Sequence, residues 1–490
     1  MRYNKLPMDN LKTILPKMQG KKVLVFGDVM LDEHIWSNVT RISPEAPIPI
    51  ADVQRITHVP GGSGNVAANI SALGAYPYLV GIIGQDSSGA KLCKALKQAH
   101  VPTQYLIKDN QRPTILKSRI IAGSQHVVRV DREDRTDLPN TLKEQIVKAV
   151  QHIIPLVDAV VISDYGKGLV TEETSQAVIS SCRKYNKPVA VDPKGENYQK
   201  YRQATIITPN QKEASVASRI NITDRTGLRK SGHTLLRQTK CKFILITRGK
   251  EGMSLFSSQS KEQHIPALAR DVFDITGAGD TVIAVLTLTL AAGADMKDAV
   301  VLANIAASVV VGKVGTTPCS KWELEEAIAG HESIARKIKT QKELTNITKN
   351  LRSAQEKIVF TNGCFDILHL GHVRYLREAK KYGDVLIIGL NSDNSVKLLK
   401  GKDRPYVSEL ERAEILASLE CVDYVVIFSE SRPDNLIKLI KPDFHIKGGD
   451  YKAAGLPERK LVESLGGKVL VIPPIEGRST TNIVKRILGK

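Results

Sequence analysis

Cysteine is scarce in this chain. Cys93, Cys182, Cys241, Cys319, Cys364 and Cys421 are scattered over 490 residues with no Cys-x-x-Cys pair. That argues against a zinc ribbon and a disulfide framework, and fits a reducing cytoplasm. Aromatic residues make up only 5% of the chain, and no block of five or more like charges occurs. The formal charge of +19 is spread out, with 48 Lys+Arg against 33 Asp+Glu before Glu356 and 22 against 18 from there on. Nucleic-acid binding calls for a concentrated basic face with stacking aromatics, so the diffuse excess suits small anionic substrates instead. The longest apolar run, Thr281 to Ala294, is too short to span a bilayer and reads as a buried helix. The stretch from Met1 to Gly20 is polar and broken by prolines, unlike a signal peptide. These absences point to a cytoplasmic protein that engages neither nucleic acid nor membrane.

The length calls for two or three domains, and 42% hydrophobic residues supply full-sized cores. Lys22-Val-Leu-Val-Phe-Gly-Asp28 reads as a buried parallel strand that delivers a carboxylate to the C-terminal edge of a sheet. Ligands of open α/β sheets bind beyond that edge, so Asp28 and Asp32 are candidates for sugar hydroxyls, with ordinary turn chemistry as the competing account. Two β-type stretches, 34–38 and 48–56, flank a proline-rich segment, Arg41-Ile-Ser-Pro-Glu-Ala-Pro-Ile-Pro49, which confines them to an edge or a lid. Gly61-Gly-Ser-Gly-Asn65 then opens a helix of small residues; Gly62 lets a ligand come close, and Asn65 can bond a hydroxyl. Residues 113–130 read as a hairpin. From Ala159 onward strands and helices alternate, the rhythm of a doubly wound, mostly parallel sheet.

Four of those strands end in polar clusters: Ser163-Asp-Tyr-Gly-Lys167, Asp192-Pro-Lys194, Thr208-Pro-Asn-Gln-Lys-Glu213 and Thr247-Arg-Gly-Lys-Glu-Gly252. Lys167 and Lys194 could hold phosphate oxygens or simply be solvated. Asn210 and Glu213, three apart at a helix start, could orient water on Mg²⁺ or form a capping box. Asp274-Ile-Thr-Gly-Ala-Gly-Asp280 leads into the apolar helix. Glycine-rich backbone at a helix N-terminus presents free N–H groups and a partial positive charge to an anion. Asp280 beside it could take a proton from an attacking hydroxyl, or merely cap the helix.

Gly61-Gly-Ser-Gly-Asn65, Asn210-x-x-Glu213 and Asp274-x-Thr-Gly-Ala-Gly-Asp280 occur in the order and spacing of the ribokinase-type (PfkB) sugar kinases, which residues 20–320 resemble. The resemblance implies a ribokinase-like doubly wound sheet with a β lid. It also implies ATP as donor, Mg²⁺ met through water by Glu213, and a monovalent cation, which is a family habit. Asp280 would be the base, with Gly277, Ala278 and Gly279 as the anion hole. Asn210, Glu213, Thr247, Gly249, Gly252 and Asn304 would border the nucleotide, and Asp28, Asp32, Gly62, Asn65, Lys167 and Lys194 the sugar.

The pattern changes between Pro318 and Gln355, where helical, basic and polar stretches read as a linker. The expected division is a kinase domain over 1–330, a helical linker over 331–355 and a second α/β domain over 356–490. Lys357-Ile-Val-Phe-Thr361 is a buried-strand run followed by Asn362-Gly-Cys-Phe-Asp-Ile-Leu-His-Leu-Gly-His372. His369 and His372 share one face at a helix start, where they could bond phosphate, ligate zinc or serve a structural part. The His-x-Gly-His segment is similar to the fingerprint of the cytidylyltransferase-like nucleotidyltransferases, and the likeness runs to the end of the chain. It implies a Rossmann-like domain in which a substrate phosphate attacks the nucleotide's α-phosphorus. His369, His372, Lys400, Ser479 and Thr480 would stabilise charge with Mg²⁺, while Asn362, Gly363, Phe365, Asp366, Gly371, Lys447 and Arg478 would bind the nucleotide. Cys364 stands where Thr is common and reads as a small buried residue rather than a reactive thiol.

A sugar kinase followed by a nucleotidyltransferase resembles the bifunctional heptose enzymes of Gram-negative bacteria. That resemblance implies heptose 7-phosphate and heptose 1-phosphate as substrates, ATP for both reactions, a separate phosphatase acting between them, and a homodimer. A sugar kinase fused to a polyol-phosphate cytidylyltransferase, a nucleotide sensor and a basic nucleic-acid binder are the alternatives that the sequence leaves.

Overall fold

The computed structural model describes residues 10–122, 125–268, 275–313, 315–449 and 456–473. The chain divides into two compact units, Met1–Ile328 and Ala329–Lys490.

The first unit is built on a nine-stranded sheet. Its strand order is Gln263–Ile265, Met253–Ser257, Phe243–Thr247, Ile206–Ile207, Val189–Asp192, Ala159–Ser163, Lys22–Gly27, Tyr76–Gly84, Leu106–Asp109. Neighbours pair in parallel except around Met253–Ser257, which runs antiparallel to both flanking strands. The central strands are apolar on both faces because helices cover both: Val23, Leu24, Val25 and Phe26 are all fully buried. Helix Ala278–Ala291 is buried nearly all round, which explains its unbroken apolar sequence. The expected lid is a separate sheet in the order Pro49–Gly62, Val29–Ile42, Ile115–Ala122, Gln125–Arg132. Its strand Val29–Ile42 begins two residues beyond the end of Lys22–Gly27, so the chain passes from core sheet to lid through Asp28.

The second unit holds a six-stranded, all-parallel sheet in the order Ile338–Lys339, Tyr424–Phe428, Val385–Asn391, Ile358–Gly363, Phe444–Gly448, Lys468–Ile472. Here the expected linker over 331–355 needs correction. Ile338–Lys339 pairs with Tyr424–Phe428 as the sheet's edge strand, and helix Gln341–Ser353 buries Leu344 in the core beside Phe360 and Ile437. A two-residue strand between two helices carries no alternation to read. Among the described residues no helix is long and apolar enough to cross a membrane.

Candidate active sites

In the first unit, Gly277 caps helix Ala278–Ala291 at a φ of 79°, a backbone conformation that favours glycine. A Cβ there would also lie 2.7 Å from the Thr316 side chain and 2.9 Å from Asn65 Nδ2. A Cβ on Gly279 would meet nothing, because that residue faces a cavity of about 200 Å³. Lining the cavity are Asp164, Tyr165, Asp192, Lys194, Asn210, Glu213 and Thr247, together with Gly279 and Val282. The helix start thus presents backbone N–H groups beside a partly open space with polar side chains in its wall, which can take a polyphosphate.

Asp280 stands in the first turn of that helix, 5% exposed. Both of its oxygens are held: Asn65 Nδ2 donates to Oδ2 at 2.7 Å, and the Tyr165 hydroxyl donates to Oδ1 at 2.5 Å. Burial pushes its pKa up to about 6 against the pull of those two donors; the Asp32 charge adds to the rise and Lys117 opposes it. A carboxylate poised near neutrality beside an anion-binding helix end is a competent general base. Asn69 fixes the frame around it, accepting from Thr281 Oγ1 at 2.9 Å and from the Cys319 N–H at 3.3 Å.

The sequence-predicted sugar residues do not form one group. Asp32 is buried on the lid and paired with Arg119 at 2.6 Å. Gly62 (φ 56°) makes the turn into helix Ser63–Ala72, and a Cβ there would crowd the Asp28 carbonyl at 2.5 Å. Asp28 itself, raised to about 6 mainly by burial and next by the Asp164 charge, accepts the backbone N–H groups of Tyr165 and Lys167 at 2.9 and 3.1 Å. It shapes the loop at the end of Ala159–Ser163. Asn65 lies on Asp280, and Lys167 pairs with Glu133 at 2.5 Å. Lys194 bonds Glu213 at 2.8 Å inside the cavity, away from the expected sugar set.

On the nucleotide side the capping box is real: Asn210 Oδ1 accepts the Glu213 N–H, and Glu213 Oε2 accepts the Asn210 N–H. Both residues still line the cavity with Thr247. Gly252, at φ 81°, makes the turn into Met253–Ser257, where a Cβ would lie 2.1 Å from the Ile265 carbonyl; Gly249 belongs to the same turn. Asn304 is buried and donates to the Pro266 carbonyl at 2.8 Å, bracing the chain beyond the sheet edge instead of lining the cavity. Sequence reasoning missed Tyr165, Asp192, Lys117 and Arg119. The first two sat in polar clusters from which only the lysines were taken. Asp192 is raised well above the carboxylate range, first by burial and then by the charges of Asp280 and Glu213.

In the second unit the strand Ile358–Gly363 feeds a loop ending at His369, the N-cap of helix Leu370–Lys380. The imidazoles of His369 and His372 stack at 3.9 Å between centroids, and Phe365 packs edge-on to His372 at 5.2 Å. Burial, then the nearby His369 and Lys400 charges, lower His372 to about 4, so its ring is neutral at pH 7. Among the described residues no group of three or more His, Cys, Asp or Glu side chains is placed to hold a metal. Lys447 Nζ donates to Asn362 Oδ1 at 2.7 Å and lies 3.6 Å from the buried Glu458.

Asp366 is turned inward. It accepts Arg404 Nη1 at 2.5 Å and the Tyr406 N–H at 2.7 Å, which latches the basic loop after Lys400. Burial would raise its carboxyl, but the bonds from Arg404, Val407 and Tyr406 outweigh that and hold it low. Cys364 is half-buried, and burial raises its thiol, which keeps it from acting as a thiolate. Gly363 and Gly371 lie at the strand end and the helix start. Asp274, Arg478, Ser479 and Thr480 lie outside the described residues.

Two phosphate-handling sites on two α/β units define a bifunctional transferase. The pfkB family of carbohydrate kinases matches residues 20–323, and a cytidylyltransferase-like family matches 360–486. Over nearly its full length the chain is similar to the "Bifunctional protein HldE" of Geobacter metallireducens, 46% identical over 480 residues, and to that of Syntrophotalea carbinolica, 43% over 482; in both cases 98% of each chain is covered. The first unit shares its fold with an Arabidopsis thaliana ribokinase complexed with ribose and ATP (TM-score 0.51, 19% identity, 63% of this chain and 99% of that one). It shares it also with Escherichia coli phosphofructokinase-2 in complex with substrates and products (0.53, 22%, 63% and 98%). The chain belongs to the HldE family of bifunctional proteins, and it is a sugar kinase joined to a nucleotidyltransferase.

Proposed function

We propose that the first unit phosphorylates D-glycero-β-D-manno-heptose 7-phosphate at O1, and that the second transfers AMP from ATP to D-glycero-β-D-manno-heptose 1-phosphate, giving ADP-heptose for the lipopolysaccharide core. In the first step Asp280 accepts the O1 proton while O1 attacks the γ-phosphorus. The bond to the β–γ bridging oxygen breaks, ADP leaves, and the N–H groups at Gly277, Ala278 and Gly279 take up the charge. In the second, a phosphate oxygen of the sugar attacks the α-phosphorus and pyrophosphate leaves. That nucleophile is already ionised and needs no base, so His369, His372, Lys400 and Lys447 act by positioning and by hydrogen bonding to phosphate.

The observation that carries the phosphorylated-sugar reading is Lys117. It projects from lid strand Ile115–Ala122 beside Asp32 and forms no ion pair with a described residue; burial lowers its pKa, the Asp32 and Asp131 charges pull the other way, and the like charges of Lys167 and Arg119 add to the fall. With Asp32 taken by Arg119, a substrate phosphate would give Lys117 a direct partner. Mg²⁺ fits as a partner of ATP: the mutual repulsion of Asp192, Glu213 and Asp280 favours a cation nearby. With no three-ligand cage among the described residues, those carboxylates would meet it through water. The ion would supply charge neutralisation on the phosphates. A monovalent cation, a phosphatase that removes the 7-phosphate between the reactions, a cytoplasmic setting and a homodimer complete the reading. The dimer is supported by the exposed apolar side chains of the lid, Ile42, Ile48, Val53, Ile56, Val128 and Val130.

The test is phosphorus NMR on the full chain with ATP and Mg²⁺. Heptose 7-phosphate should give the 1,7-bisphosphate, and heptose 1-phosphate should give ADP-heptose and pyrophosphate. Turnover of unphosphorylated heptose as fast as of the 7-phosphate would refute the Lys117 argument, and CTP used in place of ATP would refute the adenylyl assignment.

A further inference from the structure

Tyr165 occupies a place that the reaction above does not explain. It follows strand Ala159–Ser163 in the loop whose backbone Asp28 fixes, and it lines the cavity opposite Gly279. Its hydroxyl donates a hydrogen bond to Asp280 Oδ1 at 2.5 Å. From the other side, Lys117 Nζ stands 5.4 Å from the centre of its ring. One side chain therefore touches the base, the nucleotide cavity and the lid.

We propose that Tyr165 is the positioning residue of the kinase reaction: it aims the Asp280 carboxylate and, through Lys117, ties that aim to the lid. This rests on Asp280 being the base. With Asn65 holding Oδ2 and Tyr165 holding Oδ1, the carboxylate has one orientation, and the acceptor hydroxyl must approach a remaining lone pair. The same donors stabilise the charged carboxylate within a buried pocket. The charged or titratable groups facing Asp280 are Asp32 and Lys117 from the lid, Tyr165 from its loop and Asp192 from the neighbouring strand end. Asp32 and Asp192 favour the protonated acid, whereas Lys117 and the Tyr165 hydroxyl favour the base.

The experiment uses Y165F in the full-length enzyme, which keeps the ring and its Lys117 contact but removes the donor. Kinase kcat should fall roughly tenfold to hundredfold, as loss of one hydrogen bond to a charged group implies, with KM for ATP unchanged. The acidic limb of the kinase pH–rate profile should move to higher pH, since a donor to the charged form is lost. Wild-type kcat with an unmoved limb would overturn the proposal. A fall in kcat with an unmoved limb and a lowered melting temperature would mean a structural role only, and would overturn it equally. D280N assayed alongside separates the premises: if D280N keeps its kinase activity, the base assignment fails, whatever Y165F does.

Discussion

Arg412 is fully buried and invisible to motif reading, yet it ties together the transferase site. Its Nε donates to the Val407 carbonyl at 2.9 Å, Nη1 to the carbonyls of Cys364 and Asn391 at 2.5 and 2.8 Å, and Nη2 to Asp393 Oδ1 at 2.7 Å. Three segments meet there: the loop carrying Asn362 to Asp366, the end of strand Val385–Asn391, and the turn into helix Glu409–Ala417. Replacing Arg412 with Met keeps much of the stem and removes every donor. Three backbone acceptors lose their partner, each costing about 1–3 kcal/mol if left unsatisfied, and the Asp393 charge loses its cation. Because Asp393 is one-third exposed, water recovers part of that, and breaking the whole cluster is expected to cost about 3–5 kcal/mol. That is a large share of the roughly 5–15 kcal/mol that holds a domain folded. Calorimetry of the full chain should show one transition moved down by many degrees and the other unmoved. Adenylyl transfer should collapse while sugar phosphorylation persists. A shift worth under about 1 kcal/mol with intact adenylyl transfer would refute the reasoning.

Two further outcomes follow from burial. Asp280, raised to about 6, must be ionised to act, so kinase kcat/KM should climb tenfold per pH unit below 6 and level off above it; a limb near pH 4 would contradict this. His445 is fully buried against Phe360 and lowered to about 3, by burial first and then by Lys447. The unfolded chain then binds a proton that the folded one refuses. This histidine therefore costs nothing above pH 6.5, and stability falls as pH drops from 6.5 toward 3, by about 2–3 kcal/mol at pH 4.5. Urea unfolding of His445→Phe across that range should show a weaker pH dependence than wild type; equal slopes would contradict it.

Much of both units could be read from the chain because their strands are short and apolar on both faces, as at Val23–Phe26 and Ile358–Phe360, with polar clusters at their C-terminal ends. The motif around Asp280 and the paired histidines also announced themselves, since glycines at a helix start and two imidazoles three apart are local patterns. What stayed hidden was non-local. Tyr165 reaches Asp280 across 115 positions, and Asn65 reaches it across 215. Lys117 is drawn beside Asp32 by strand register. No spacing rule encodes such pairs. The partners of Lys194 and Asn304 were equally hidden: each stands near a motif in sequence, but one turns to Glu213 and the other to Pro266. The edge strand Ile338–Lys339 was missed because its identity lies in its partner, Val425 and Val426.

The central claim is that one chain carries two independent phosphate-transfer sites, and one paired measurement tests it. Full-length D280N and His372→Ala should each be given ATP with heptose 7-phosphate and with heptose 1-phosphate, and the products followed by phosphorus NMR. The account predicts that D280N loses phosphorylation but makes ADP-heptose at the wild-type rate, and that the His372 variant does the reverse. Loss of both activities from either folded variant, or retention of phosphorylation by D280N, would contradict it.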